Sequence, residues 1–326
     1  MAGPFEAYEN LDDIEERLQG ADPAERRVAV IELANSGDPA AVKLLAGLVG
    51  DPASSVRQQA AIALGEFDGP GAAQALARLV TDPEPAVAGA AADSMAELKE
   101  PASAEAIYPL AAHPHAFVRM AALRALKELR RKDLLKVALD ALRDLDASVR
   151  AQAVGVVGFL KLEEAVPALI AAAADPDAHV RRSAVSALSF SGMKTAGESI
   201  ARALTDDDWL VREVAADTLG TGNSKAGAEA ADALIKALSD DYWQVRLKAA
   251  RSLGALKIGK AVPAIGGCLD HPQGNLRKEC AAAIGEIADP AGLQFVKRLA
   301  DDHDPDVRKN ARWAIQRITS AQAAAQ

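Results

Sequence analysis

The residues of this chain best suited to catalysis or metal binding are five histidines and two cysteines, and their spacing supports neither. His113, His115, His179, His271 and His303 form no metalloprotease-type pair on one helix turn. The chain has no Gly-x-Ser-x-Gly elbow, and no phosphate-cradling glycine loop followed by Lys-Ser or Lys-Thr. His113-Pro114-His115 brings two imidazoles together, but no carboxylate or thiol is spaced to complete a ligand set. Cys268 and Cys280 are too few for a disulfide framework; they read as neighbouring core thiols of a protein kept in a reducing cytoplasm. The sequence therefore implies no catalytic residue, no metal and no cofactor.

The chemistry the sequence does offer is recognition. Trp209 follows Asp206-Asp207-Asp208, and Trp243 follows Asp240-Asp241-Tyr242. Aromatic rings beside carboxylates suit a basic protein segment, bound by cation–π and ionic contacts. The candidate partner-binding residues are accordingly Trp209, Tyr242, Trp243, Asp207, Asp208 and Asp241. Phe159 and Phe190 join them, because they occupy a slot that holds Glu66, Glu97, Glu128 and Glu286 elsewhere, and so predict an apolar surface patch. A basic stretch, Arg119, Arg124, Lys127, Arg130, Arg131, Lys132 and Lys136, is the feature that would favour an acidic partner or nucleic acid.

These residues sit in a repeat. The phrase Asp51-Pro52-Ala53-Ser54-Ser55-Val56-Arg57-Gln58-Gln59-Ala60 recurs with its arginine slot at 26, 57, 88, 119, 150, 181, 212, 246, 277 and 308. Subtracting neighbours gives 31 each time except from 212 to 246, which gives 34. The slot holds arginine in every copy but one, Ala88. Three residues later stands Ala29, Ala60, Ala91, Ala122, Ala153, Ala184, Ala215, Ala249 or Ala311, with Cys280 in the remaining copy. Apolar residues at offsets of three, four and seven mark one helical face, and alanine on that face lets helices approach closely. Six before the arginine usually stands an aspartate (Asp51, Asp82, Asp144, Asp175, Asp206, Asp240, Asp302), placed to accept turn amides or to pair with an arginine of its own or the next repeat. His113 and His271 fill this slot in two copies and are expected to take over its turn hydrogen bond. A second helical pattern, such as Ala165-Val166-Pro167-Ala168-Leu169-Ile170, lies between the copies. Each repeat is thus helix A, a tight turn, helix B and a loop. Neither helix buries its apolar face alone, so the repeats must stack.

The repeated phrase resembles the short HEAT-like repeat of phycobilisome-lyase-type proteins, over roughly residues 11–318. That resemblance implies an all-α solenoid of about ten two-helix repeats, of the armadillo-like helical kind, with B helices lining a concave face. It implies a non-catalytic scaffold, adaptor or maturation factor, with a bilin lyase-like activity and a nucleic-acid-binding role as alternatives. Deoxyhypusine hydroxylases share the repeat but carry His-Glu dipeptides as iron ligands, and no such dipeptide occurs here.

Bulk properties agree. Half the residues are hydrophobic but only 4% aromatic, so the apolar mass is Ala, Leu and Val, suited to close-packed helices. A net charge of −9 disfavours a general nucleic-acid binder, and no apolar run is long enough for a membrane span. We expect one solenoid over 1–326: a capping repeat at 1–36, central repeats at 37–287, and a C-terminal cap with a fraying Ala/Gln-rich tail at 288–326. A monomer is expected. The three extra residues fall in the loop Thr221–Ala228, a candidate hinge or contact element.

Overall fold

The computed structural model describes residues 11–129, 131, 133–221 and 228–324. Among these are 20 α-helices and no strand, and the helices alternate as A and B members of ten pairs. They gather into two compact units, Met1–Leu160 and Lys161–Gln326. No described helix is long and apolar enough to cross a membrane.

Several B helices begin where the sequence offers a side-chain cap. Asp208 accepts the amides of Leu210 and Val211 at 2.9 and 3.2 Å, opening the helix Trp209–Thr221. Asp177 does the same for His179 and Val180. A helices are short, and several tighten into a 3₁₀ turn before the aspartate slot, as Ala41–Gly47 does into Leu48–Gly50. Within each unit B packs on B. In the second unit Trp209–Thr221, Trp243–Ala255, Gly274–Ile287 and Pro305–Ala324 stack in that order. All nine slot alanines and Cys280 are fully buried at these contacts.

The slot arginines and aspartates join successive repeats. Each complete pair is bidentate, with Nε and Nη2 donating to the two oxygens of the next repeat's aspartate at 2.6–3.0 Å. In the first unit the pairs are Arg26–Asp51, Arg57–Asp82 and Arg119–Asp144. In the second they are Arg181–Asp206, Arg212–Asp240 and Arg277–Asp302. The third arm, Nη1, donates to carbonyls of the arginine's own turn, as Arg57 does to Asp51. Each aspartate also accepts the amide two residues on, such as Ala53 for Asp51. One side chain thus fixes both the turn and the repeat-to-repeat register.

The fork holds these carboxyls below their ordinary range. For Asp82, Asp144 and Asp302 the guanidinium hydrogen bond is the main cause. For Asp51, Asp206 and Asp240 burial is the largest influence and pushes upward, but the arginine, the turn amide and the local positive charge together outweigh it. Carboxylates depressed in the native state stabilise it above the unfolded carboxyl pKa, near 4, and lose that contribution as pH falls through the lower native value. The urea midpoint is therefore expected to be level between pH 5 and 7 and to fall steeply below about pH 4; an unchanged midpoint at pH 3 would refute this role for the forks.

The C-terminus departs from expectation. The tail does not fray at Thr319 but continues the last helix, Pro305–Ala324. Alanine and glutamine are good helix formers, and the preceding turns supply the nucleus, so propagation costs little.

Candidate functional site

The aspartate–tryptophan turns sit in the second unit at the amino ends of two stacked B helices. Trp209 is the first residue of Trp209–Thr221, and Tyr242 is the N-cap of Trp243–Ala255. They stand at the A-to-B turns, not along the length of helix B. Trp209 stacks on Tyr242, with ring centroids 4.9 Å apart and planes 5° from parallel. The sequence paired Trp209 with Trp243; the structure gives the stack to the residue before Trp243. The reason is register. Trp243 has turned into the helix and is half-buried, while the cap position still projects from the turn.

The Arg212 guanidinium lies 5.8 Å from the Tyr242 ring centre while it forks onto Asp240. Tyr242 is thus held by Trp209 and Arg212, one helical turn apart, yet remains 43% exposed. Asp207 and Asp241 are exposed beside it, and neither carboxylate has a hydrogen-bond partner among the described residues. Proline fills this position in several other repeats (Pro52, Pro83, Pro114, Pro176, Pro272). Asp208, by contrast, is committed to its helix cap. The surface element is therefore a supported aromatic ring flanked by two free carboxylates.

The other candidates are placed as follows. Phe159, at the end of the first unit, is half-buried with the Lys127 ammonium 5.7 Å from its ring centre. Phe190, in the second unit, is half-buried in a 3₁₀ turn, Leu188–Phe190. Neither is a wholly exposed ring. Much of the basic stretch is paired internally: Arg119 with Asp144, Arg124 with Asp93, and Arg131 with Asp133 and Glu105. Arg130 and Lys132 lie outside the described residues, as does most of the loop Thr221–Ala228. His113 and His271 do take over the aspartate's turn bond. Their Nδ1 atoms accept the amides of His115 and Gln273 at 3.2 and 3.1 Å. No group of three potential metal ligands occurs among the described residues.

Cys268 and Cys280 are both buried, and the Cys268 thiol donates to the carbonyls of Leu238 and Ala264 at 3.5 and 3.8 Å. The neighbouring Cys268 thiol, with burial, pushes the Cys280 thiol up, while Cys280 and the Arg246 charge hold Cys268 down. Two hollows, of about 660 and 430 Å³, are lined mainly by A helices, one by Val42, Lys43 and Arg78 and the other by Glu229, Asp232 and Lys236; neither includes the stacked aromatics.

Two surface features escaped sequence reasoning. Val28, Ile31 and Ile62 are exposed along the first two complete B helices, and Leu145 is 99% exposed in a turn. The signal was present: Ile31 and Ile62 occupy the slot five after the arginine, which holds Asp93, Arg124, Asp217 and Arg251 elsewhere.

Comparison with known proteins gives a consistent picture. The family described as HEAT repeats matches residues 11–85, 76–144, 135–220 and 231–316. No curated protein sequence matches. Among solved structures, Kap95p in a complex with RanGDP is 18% identical, with a TM-score of 0.61, covering 94% of this chain and 48% of that one. An importin beta structure is 14% identical, with a TM-score of 0.60, covering 94% and 52%. An engineered protein is 20% identical, with a TM-score of 0.50, covering 95% and 98%. The chain spans about half the length of the two importin-type proteins. At these identities the likeness is one of fold.

Proposed function

This chain belongs to the HEAT-repeat family, and from that premise we propose that it is a non-catalytic protein-binding scaffold or assembly factor of the cytoplasm. Its binding element is the turn edge around Tyr242, and its partner presents a basic segment there. The observation that carries this reading is the stacked pair Trp209–Tyr242 with the uncommitted carboxylates Asp207 and Asp241 beside it. A cation over an aromatic face is worth about 0.5–2 kcal/mol, and adjacent carboxylates add charge attraction that salt weakens. Kap95p, a protein of the same fold, is described in complex with RanGDP. Such precedent supports protein binding as a use of the fold and names no partner for this chain. A bilin lyase-like role rests on the repeat resemblance alone, and the two thiols that would serve it are buried.

The test is a pull-down from host lysate with wild type beside the double variant Trp209→Ala, Tyr242→Ala. A protein captured by wild type and lost by the variant, with its helical content intact, is the expected result. Equal capture by both would remove the aromatic site from the account.

A further inference from the structure

The arginine–aspartate ladder is broken in the second unit in a way that leaves one arginine without its carboxylate. Complete pairs join an arginine to the aspartate 25 residues on, or 28 across the longer loop. Arg246 counted forward by 25 reaches His271. The first unit has a different kind of break: Ala88 would face His113, so arginine and aspartate are lost together. At Arg246 only the acceptor is gone.

The side chain has responded. In the complete pairs Nη1 takes the carbonyl six residues back, while Nε and Nη2 point to the next repeat. In Arg246 it is Nε that donates to the carbonyl of Asp240. That is its one hydrogen bond among the described residues, and no carboxylate pairs with it. Both terminal nitrogens are left over. His271 adds another donor. Its Nδ1 accepts the Gln273 amide, so in the neutral ring the proton sits on Nε2. Burial, Arg246 and Arg277 all disfavour a charge on this imidazole. The slot that holds an acceptor in other repeats here holds a guanidinium and an N–H donor.

We propose that Arg246 and His271 form a socket for a single carboxylate, supplied by an acidic side chain or C-terminus of a bound protein, which takes the place of the missing aspartate. The forks described above show the geometry in which this scaffold holds such a group. The socket adjoins Asp241 and Tyr242 in sequence, so a partner reaching it would carry an acidic group near its basic one. The inference does not depend on the aromatic site.

The test uses the full chain with ¹⁵N-labelled arginine side chains. The Arg246 Nε–H signal is followed while sodium acetate replaces sodium chloride at constant ionic strength. In wild type the signal should move saturably while the forked arginines stay fixed. In His271→Asp, which rebuilds the ladder, it should resonate with the forked arginines from the start and respond at least tenfold less. Arg246→Gln identifies the signal. It should also lose any acetate-dependent rise in the melting midpoint, a second readout that holds if His271→Asp folds poorly. An acetate response no larger than that to chloride, or an undiminished one in a folded His271→Asp, would overturn the socket. Inorganic phosphate saturating at lower concentration than acetate would overturn its assignment to a carboxylate.

Discussion

Arg277→Ala should cost about 3 kcal/mol of stability, the lower end of the range for breaking a buried ion pair by removing one partner. Arg277 and Asp302 are both less than a tenth exposed, and the guanidinium spans two repeats through its bonds to Asp302, His271 and Pro272. Alanine would leave the Asp302 carboxylate buried with only the Asp304 amide and the His303 ring, 3.4 Å away, beside it. Arg308 is the internal control. It occupies the same slot in the last repeat, where among the described residues its guanidinium bonds only to the carbonyls of Asp302 and His303. Arg308→Ala should cost no more than about 1 kcal/mol, the net worth of ordinary hydrogen bonds. Urea unfolding followed by circular dichroism measures both. Equal losses would mean that the forks do not carry the register.

Gly254→Ala should destabilise by about 2 kcal/mol, although alanine is the better helix former by roughly 1 kcal/mol. A Cβ added at Gly254 would lie 2.8 Å from the Cα of Ala283 on the next B helix, a backbone atom that cannot rotate away. Gly220 and Gly285 meet Ser252 and Ala314 in the same manner. All three stand eight after a slot arginine, and each faces the residue six after the next one. Gly89→Ala gives the opposite sign, because nothing lies within 4 Å of its added Cβ. There the propensity gain, about 0.5–1 kcal/mol, should appear as a rise in the urea midpoint. A stable Gly254→Ala would show that the B helices can slide apart, and that the stack is looser than the structure has it.

Much of this fold is legible in the sequence because the repeat writes each contact many times. The alanine slot, the aspartate slot and the arginine slot each recur at fixed spacing, and their burial and pairing follow from one copy. Rotation about a helix axis is harder to read. The spacing of Trp209 and Trp243 placed them in register, but it could not say that Tyr242, one residue earlier, would remain outside the helix and take the stack. Close approach is equally hidden: what Gly220, Gly254 and Gly285 are for shows only once the neighbouring helix is in place. The tail after Thr319 was misjudged because polarity suggested fraying, while its alanines had only to extend a helix already formed. In the candidate site the division of labour was not legible: Asp208 caps its helix, while the Asp207 and Asp241 carboxylates have no hydrogen-bond partner among the described residues.

We expect the exposed Tyr242 ring and its flanking carboxylates to bind a basic protein segment. Isothermal titration of an arginine-rich peptide into the full chain at low salt tests it most directly, beside Tyr242→Ala and the double variant Asp207→Asn, Asp241→Asn. Wild type should bind saturably, with an affinity weakened by added salt and reduced about tenfold or more in each variant, the loss expected for a cation–π contact or a local ionic pair. Affinity unchanged by either variant, or binding no stronger than that of an uncharged peptide, would contradict it.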